Sequence, residues 1–236
     1  GTSIWVNNIP VVSANMHFQN GVVHVIPGIL VPPSATLKVI MASNPNLSYF
    51  RAAIARADSG QVGLNRLDSA LNYPVANLTV IAPVDAALRA LLDTAIRRGL
   101  IAQGVPPATA AVLATSLAST PAVFSNPALF GVLTAQTVRG IVAYHMLGVR
   151  AFACNMSPTG GLAPTLLNGA IAIHPGIKLQ GVFTGPVATG FLATNARIVP
   201  PLGGTTPFTD PPVSSASIDN HAVNGVYHII NGVLLP

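Results

Sequence analysis

The feature that most constrains the fold is a repeat at the two ends of the chain. Near the start stands Asn20-Gly-Val-Val-His24-Val-Ile-Pro-Gly28-Ile-Leu-Val-Pro32, and at the end Asn224-Gly-Val-Tyr-His228-Ile-Ile-Asn-Gly232-Val-Leu-Leu-Pro236. Thirteen positions align without a gap and eight are identical. The match extends upstream, pairing Ser13 with Ser217 and His17 with His221. Such self-similarity marks a repeated structural unit. Val22 to Ile26 and Val226 to Ile230 are β-branched and aromatic runs, so both are expected to be strands. Pro27-Gly28 and Asn231-Gly232 supply turn chemistry. A second short apolar strand is expected after each turn, ended by Pro32 or Pro236.

The repeat also places a boundary. If the unit closes a domain, one domain ends near Pro33 and the next runs over residues 34–236. Residues 1–33 are too few to fold alone. They read as the C-terminal tail of a preceding domain. The alternative is that they belong to the same fold as an added strand pair.

Between the two copies, helical and strand signals separate along the chain. Asn46 to Asp58 carries apolar residues at helical spacing, with Gly60 as a stop. Leu64, Leu67 and Leu71 suggest another turn or two. Asn77 to Ala82 reads as a strand. Pro83 then opens a helix expected to end near Gly99, with Asp85 and Asp93 each four residues before an Arg, in the favourable order for helix ion pairs. Pro107 to Leu117 reads as a helix, Pro121 to Leu129 as a loop, and Thr134 to Leu147 as a helix running into a strand. Past Arg150 the pattern is strand-like, with turn signals at Gly160-Gly161, Asn168-Gly169 and Pro175-Gly176 and a Pro/Gly/Thr loop over residues 199–213. Helices first and strands later argue an α+β fold.

Composition narrows the chemistry. Half of the 236 residues are hydrophobic and 7% are charged, which supplies a core and argues against disorder. There is no Glu, and the six acids are all Asp, so little material exists for paired-carboxylate catalysis. The net charge of +5 reflects scarce acids. With two Lys and 6% aromatics, the dense basic face of a nucleic-acid binder is missing. No run reaches the roughly 20 clean apolar residues of a spanning helix. The start, Gly-Thr-Ser-Ile-Trp, has no basic n-region or apolar h-region and reads as a processed start. Cys154 is the single cysteine and reads as a small buried side chain.

Three segments, taken in order, resemble the fasciclin-like domain family. Leu78-Thr-Val-Ile-Ala-Pro83-Val-Asp85-Ala-Ala-Leu88 is similar to its first signature box. Val138-Arg-Gly-Ile-Val-Ala-Tyr144-His145 is similar to its central Tyr-His motif. Asn224 to Pro236 is similar to its second box, and the N-terminal copy stands where a preceding domain would end. Val84 and Leu88 depart from the usual Thr and Phe. Without the Thr a capping hydroxyl is lost, and Asp85 is expected to cap in its place. The domain also looks enlarged around residues 100–130 and 179–213. Motifs tied to integrin binding in some animal members have no clear match.

The resemblance implies a β-wedge or sandwich with helices on one side, found in tandem on secreted or surface-anchored proteins. It implies a non-catalytic module that binds an extracellular protein or glycan beside a neighbouring fasciclin-like domain, on a possible bacterial lipoprotein. It implies structural roles for Pro83, Asp85, His145, Asn224, Gly225 and His228, and a partner-binding surface near Tyr144 and His145. The alternative function is a glycan- or small-molecule-binding surface domain of a bacterial nutrient-capture system. For that reading, Trp5 is the sole tryptophan and lies outside residues 34–236.

The residues themselves point away from catalysis. No Gly-x-Ser-x-Gly elbow is present, and no convergent set of acid, base and nucleophile can be assembled, so an enzyme is not expected. His17, His24, His221 and His228 form two pairs seven apart. Odd spacing on a strand puts partners on opposite faces, and their recurrence follows from the repeat, so no metal or cofactor is expected. His145 and His228 read as buried, neutral imidazoles bonded to backbone or to the Asp85 region. Asn46-Leu-Ser48, Asn77-Leu-Thr79 and Asn155-Met-Ser157 fit the N-glycosylation pattern, with Asn77 too close to a core strand to be a natural acceptor.

Overall fold

The computed structural model describes residues 4–155, 161–166, 170–174, 178–181, 195–197 and 219–235. The chain opens with two small hairpins: β1 (Trp5–Val6) with β2 (Ile9–Pro10), and β3 (Ser13–Phe18) with β4 (Gly21–Val25). A helical stretch follows: α1 (Leu37–Ala42), α2 (Ser48–Ala57) and α3 (Leu67–Asn72). Strand β5 (Leu78–Pro83) leads into α4 (Asp85–Ala102), then α5 (Pro107–Leu117) and α6 (Ala135–Tyr144). Strand β6 (Met146–Leu147) comes next, followed by β7 (Gly161–Pro164), β8 (Ala170–His174), β9 (Lys178–Gly181) and β10 (Asn195–Arg197). The last hairpin is β11 (Asn220–Ala222) with β12 (Gly225–Ile230). Helices dominate the first half and strands the second, an α+β order.

Among the described residues these strands form two four-stranded sheets besides the N-terminal hairpins. One has the order β11-β12-β5-β6; in it β12 runs parallel to β5 and the outer pairs are antiparallel. The other is antiparallel throughout, in the order β10-β9-β8-β7. Strands β5 and β12 are buried along their whole length, which is why Leu78-Thr-Val-Ile-Ala-Pro83 shows no polar alternation. Leu78, Val80, Ala82, Tyr227 and Ile229 join the helical core with Leu37, Phe50, Leu92, Ile96 and Val142. The opposite faces of these strands lie against the segment after β6, where Thr79 Oγ1 donates to the Val149 carbonyl at 2.6 Å.

Several boundaries differ from the sequence expectation. Helix α4 runs past Gly99 to Ala102. Gly99 sits inside it because Val132 packs there: a Cβ at Gly99 would approach Val132 Cγ2 to 3.0 Å. The stop is Gly104, at φ +88, a left-handed conformation that glycine takes without steric cost. The loop expected over Pro121 to Leu129 is two 3-10 turns, Pro121–Ser125 and Pro127–Leu129. The short strand expected after Asn231-Gly232 is absent. Val233, Leu234 and Leu235 are buried, but the Leu234 amide bonds to a histidine ring instead of a neighbouring strand. The loop at 199–213 and the turn dipeptides at 168–169 and 175–176 lie outside the described residues.

The two helix ion pairs are not formed among the described residues. The Asp85 carboxylate accepts from Ser48 Oγ at 2.6 Å and from the Tyr49 amide at 2.9 Å. It therefore caps α2, where a helix N-terminus favours negative charge, and not its own helix. The N-cap of α4 is Val84, with no side-chain bond. Asp93 instead accepts from Thr115 Oγ1 at 2.7 Å, joining α4 to α5.

Candidate functional site

The second family box folds into the hairpin that closes the main sheet, and three of its residues fix it. Asn224 is fully buried. Its Oδ1 accepts from the Leu37 amide at 2.8 Å, and its Nδ2 donates to the carbonyls of Leu71 at 2.9 Å and Tyr73 at 3.1 Å. One side chain thus ties the hairpin to the start of α1 and the end of α3. Gly225 packs so close to β5 that an added Cβ would be driven into the Leu78 carbonyl oxygen and to 2.8 Å from Leu37 Cδ1. His228 accepts at Nδ1 from the Asp219 amide at 3.2 Å and donates from Nε2 to the Ala151 carbonyl at 2.9 Å. Burial pushes its pKa below the ordinary value, so the neutral ring that these two bonds require is the stable form. Pro83 ends β5 opposite Ile230; there its missing N–H interrupts no ladder, and the Val84 amide takes the Ile230 carbonyl at 2.9 Å.

The Tyr144-His145 pair lies at the C-terminal end of α6, and both side chains are fully buried. His145 Nε2 accepts from the Leu234 amide at 2.9 Å. That leaves Nδ1 as the N–H, donating to the Ile141 carbonyl at 2.8 Å. Phe50 meets the imidazole edge-on, centroids 6.0 Å apart. Desolvation lowers its pKa to about 4, opposed by the bond to Ile141. Its partners are backbone groups of α6 and the closing segment, not the Asp85 region. Both rings are turned into the interior, with no exposed surface of their own.

Two polar hubs were not singled out from the sequence. Asp58, buried at the end of α2, accepts from the amides of Leu67 at 2.7 Å and Asp68 at 2.9 Å and from Arg139 Nη1 at 3.3 Å. Arg150 donates to Asn77 Oδ1 at 3.2 Å, His221 Nε2 at 2.9 Å and the Val223 carbonyl at 2.8 Å. Burial first, then Arg150, lowers the His221 pKa. Arg139 lies 81 residues from Asp58, and the partners of Arg150 lie 71 to 73 residues from it, so no local pattern announces these contacts. Cys154 is partly exposed and donates to the Asn7 carbonyl at 3.2 Å. In the sequon at Asn77, Thr79 is fully buried.

Two concave features are formed by described residues alone. An apolar cavity of about 20 Å³ lies between α2, α4 and α6, lined by Phe50, Leu88, Leu92, Val138, Val142 and His145 among others. That is room for a water, far short of the roughly 300 Å³ of a ligand pocket. An open depression of about 280 Å³ is bordered by Arg56, Pro121, Phe124 and Phe130. There the Arg56 guanidinium stacks 3.7 Å over the Phe130 ring and donates to the Leu133 carbonyl at 2.9 Å. Among the described residues no three His, Cys, Asp or Glu side chains converge as a metal set, and no helix is long and apolar enough to cross a membrane.

The two hairpins have the same internal geometry. Met16↔Val23, His17↔Val22 and Phe18↔Gly21 pair as Asn220↔Tyr227, His221↔Val226 and Ala222↔Gly225 do, each shifted by the offset of the repeat. Asn15 at φ 58 matches Asp219 at φ 54. The Asn15 amide donates to His24 Nδ1 at 3.2 Å, as the Asp219 amide does to His228 Nδ1.

No protein-family model matches the sequence, and no curated protein matches it. Among solved structures it is similar to a FAS1 domain pair from the insect cell adhesion molecule fasciclin I, described as a novel fold, at 15% identity and a TM-score of 0.50. The match covers 97% of this chain and 60% of that one, so the chain spans less than two thirds of the domain pair. At that identity the likeness speaks for the fold, and with the mixed helices and strands described above it gives this chain the α+β fold of a fasciclin-like domain.

Proposed function

We propose that the chain is a non-catalytic binding and adhesion module of a secreted or cell-surface protein, one complete fasciclin-like domain over residues 34–236 within a tandem array. The observation that carries this reading is the fold it shares with a FAS1 domain pair from a cell adhesion molecule. The chemistry of the interior supports it. His145, His228, Asp58 and Asn224 each hold backbone or scaffold groups, and no buried side-chain polar atom among the described residues lacks a partner. A catalytic site would instead aim perturbed groups at open space. The ~20 Å³ apolar cavity beside His145 is itself too small for a small-molecule ligand.

On this reading the partner-binding surface lies near Tyr144 and His145, and His145 serves it by positioning the closing segment. The partner is an extracellular protein or glycan, met over a broad surface and gaining strength through several domains. Beads coated with the chain, or with its tandem array, would test this against a panel of extracellular proteins and glycans at ~150 mM salt and above. Saturable, competable binding to a protein or a polymeric glycan is expected. Tight capture of one free small sugar, or turnover of any panel member, would overturn the reading.

A further inference from the structure

The repeat gives two hairpins of one geometry in opposite surroundings. Val226 is fully buried, whereas Val22 is 47% exposed. Val233 is 2% exposed, whereas Ile29 is 86% exposed. Every residue of β12 is buried and every residue of β4 is exposed. Within the described residues β4 pairs only with β3, while β12 also pairs in parallel with β5. The C-terminal copy therefore shows what covers a hairpin of this kind: a buried apolar strand on its open edge, and helix ends around its asparagine.

We infer that residues 13–31 are the closing hairpin of a second domain of this fold, lying N-terminal to them in the same polypeptide, and that the open edge of β4 receives a parallel core strand from that domain. This rests on the fold and on the tandem organisation proposed above, not on the adhesive role.

The register of the second copy specifies the occupant. Gly225 to Ile229 lie opposite Leu78 to Ala82, so Gly21 to Val25 would lie opposite five residues of an equally apolar strand. Gly21 has nothing within 4 Å of where a Cβ would stand, although its counterpart Gly225 is pressed against a carbonyl. A side chain is thus tolerated at Gly21 in this chain alone and excluded once the strand arrives. Asn20 would accept from one backbone amide and donate to two carbonyls, as Asn224 does. The Leu30 amide, counterpart of the Leu234 amide, would donate to a histidine at the end of a helix of the incoming domain. A second copy of this chain is a poor donor, because its own β5 is flanked on both sides by β12 and β6.

Hydrogen–deuterium exchange tests this in the 236-residue chain and in the full-length polypeptide. In the chain, amides of Val22 to Ile26 should exchange at least about 100-fold faster than those of Val226 to Ile230. In the full-length polypeptide the two sets should be comparably protected. Gly21→Ala should leave the melting of the chain unchanged and, in the full-length polypeptide, lower one melting transition without moving that of residues 34–236. Fast exchange at Val22 to Ile26 in both forms would overturn the inference. So would protection already present in the chain, which would mean that the hairpin packs on residues 34–236. Binding assays could fail without affecting either readout.

Discussion

The Leu234 amide donates to Nε2 of His145 across 2.9 Å, a bond between residues 89 positions apart. It fastens the last described stretch of chain to the end of α6. The same bond makes the ring unable to accept a proton without placing two donors face to face.

Stability should therefore fall on the acid side. The unfolded chain protonates a histidine near 6.5, whereas folded His145 resists until about 4. Between those values the unfolded state holds more protons, so stability is full above 6.5 and declines as pH falls towards 4. The gap corresponds to about 3 kcal/mol for one fully buried group. His228, also lowered, adds in the same direction. Urea midpoints at pH 7.5, 6.5 and 5 check this, and a flat profile across that range would count against the assigned tautomer. His145→Ala should cost about 2–4 kcal/mol at pH 7.5, from the cavity and the orphaned Leu234 amide, and should make the profile shallower, leaving the part that His228 contributes.

Gly225→Ala should be among the most damaging single changes. The added methyl meets backbone, the Leu78 carbonyl, as well as Leu37 Cδ1, so β12 must move off β5. A loss of about 3 kcal/mol or more is expected. Asn224→Ala should cost a similar amount, since it strands the buried Leu37 amide and two carbonyls at about 1–3 kcal/mol for each group left unsatisfied. Thermal melts of both variants beside wild type decide the point. A fall in Tm of only a degree or two would mean that the hairpin is held by apolar contact alone.

Strand β12 was legible in the sequence because its apolar run is local and occurs twice, but its hairpin partner was not: the partner is β11, upstream of Asn224, and not a strand after Asn231-Gly232. Helix α5 was legible for a similar reason, with Pro107 at its entrance and small apolar residues through to Leu117. The fate of the polar side chains was not. Asp85 stands at the start of α4, where the local rule has it cap that helix. Tertiary packing brings the N-terminus of α2 within its reach instead. Gly99 misled in the same way: its use is a contact with Val132, which only the folded chain brings near. The Tyr-His motif was read inside a helix running into a strand, but the inward turn of the His145 ring, at the cap of α6, depends on its bond to the distant Leu234 amide.

Asp58 is expected to matter more than its place at a helix end suggests. It holds two amides at the entrance of α3 and the Arg139 guanidinium. Asp58→Ala should destabilise by about 3 kcal/mol, leaving a buried amide and a partly buried cation without their acceptor. Arg139→Ala should cost less, because Asp58 keeps both amide bonds. A double-mutant cycle measures the coupling, expected at about 1 kcal/mol. Additive losses would show that the 3.3 Å contact contributes nothing.

The capping role of Asp85 separates from an ion-pair role by comparing two variants. If the carboxylate serves α2, Asp85→Ala loses the bonds to Ser48 Oγ and the Tyr49 amide and costs about 1–2 kcal/mol. Arg89→Ala, removing the side chain four residues on, should stay within about 0.5 kcal/mol, as an exposed residue with no ion-pair partner among the described residues should. Ser48→Ala should fall between the two, since the Tyr49 amide keeps its acceptor. Chemical denaturation of the three variants at one pH gives the order. Equal losses for Asp85→Ala and Arg89→Ala would restore the i,i+4 pair as the dominant contact and remove the cap.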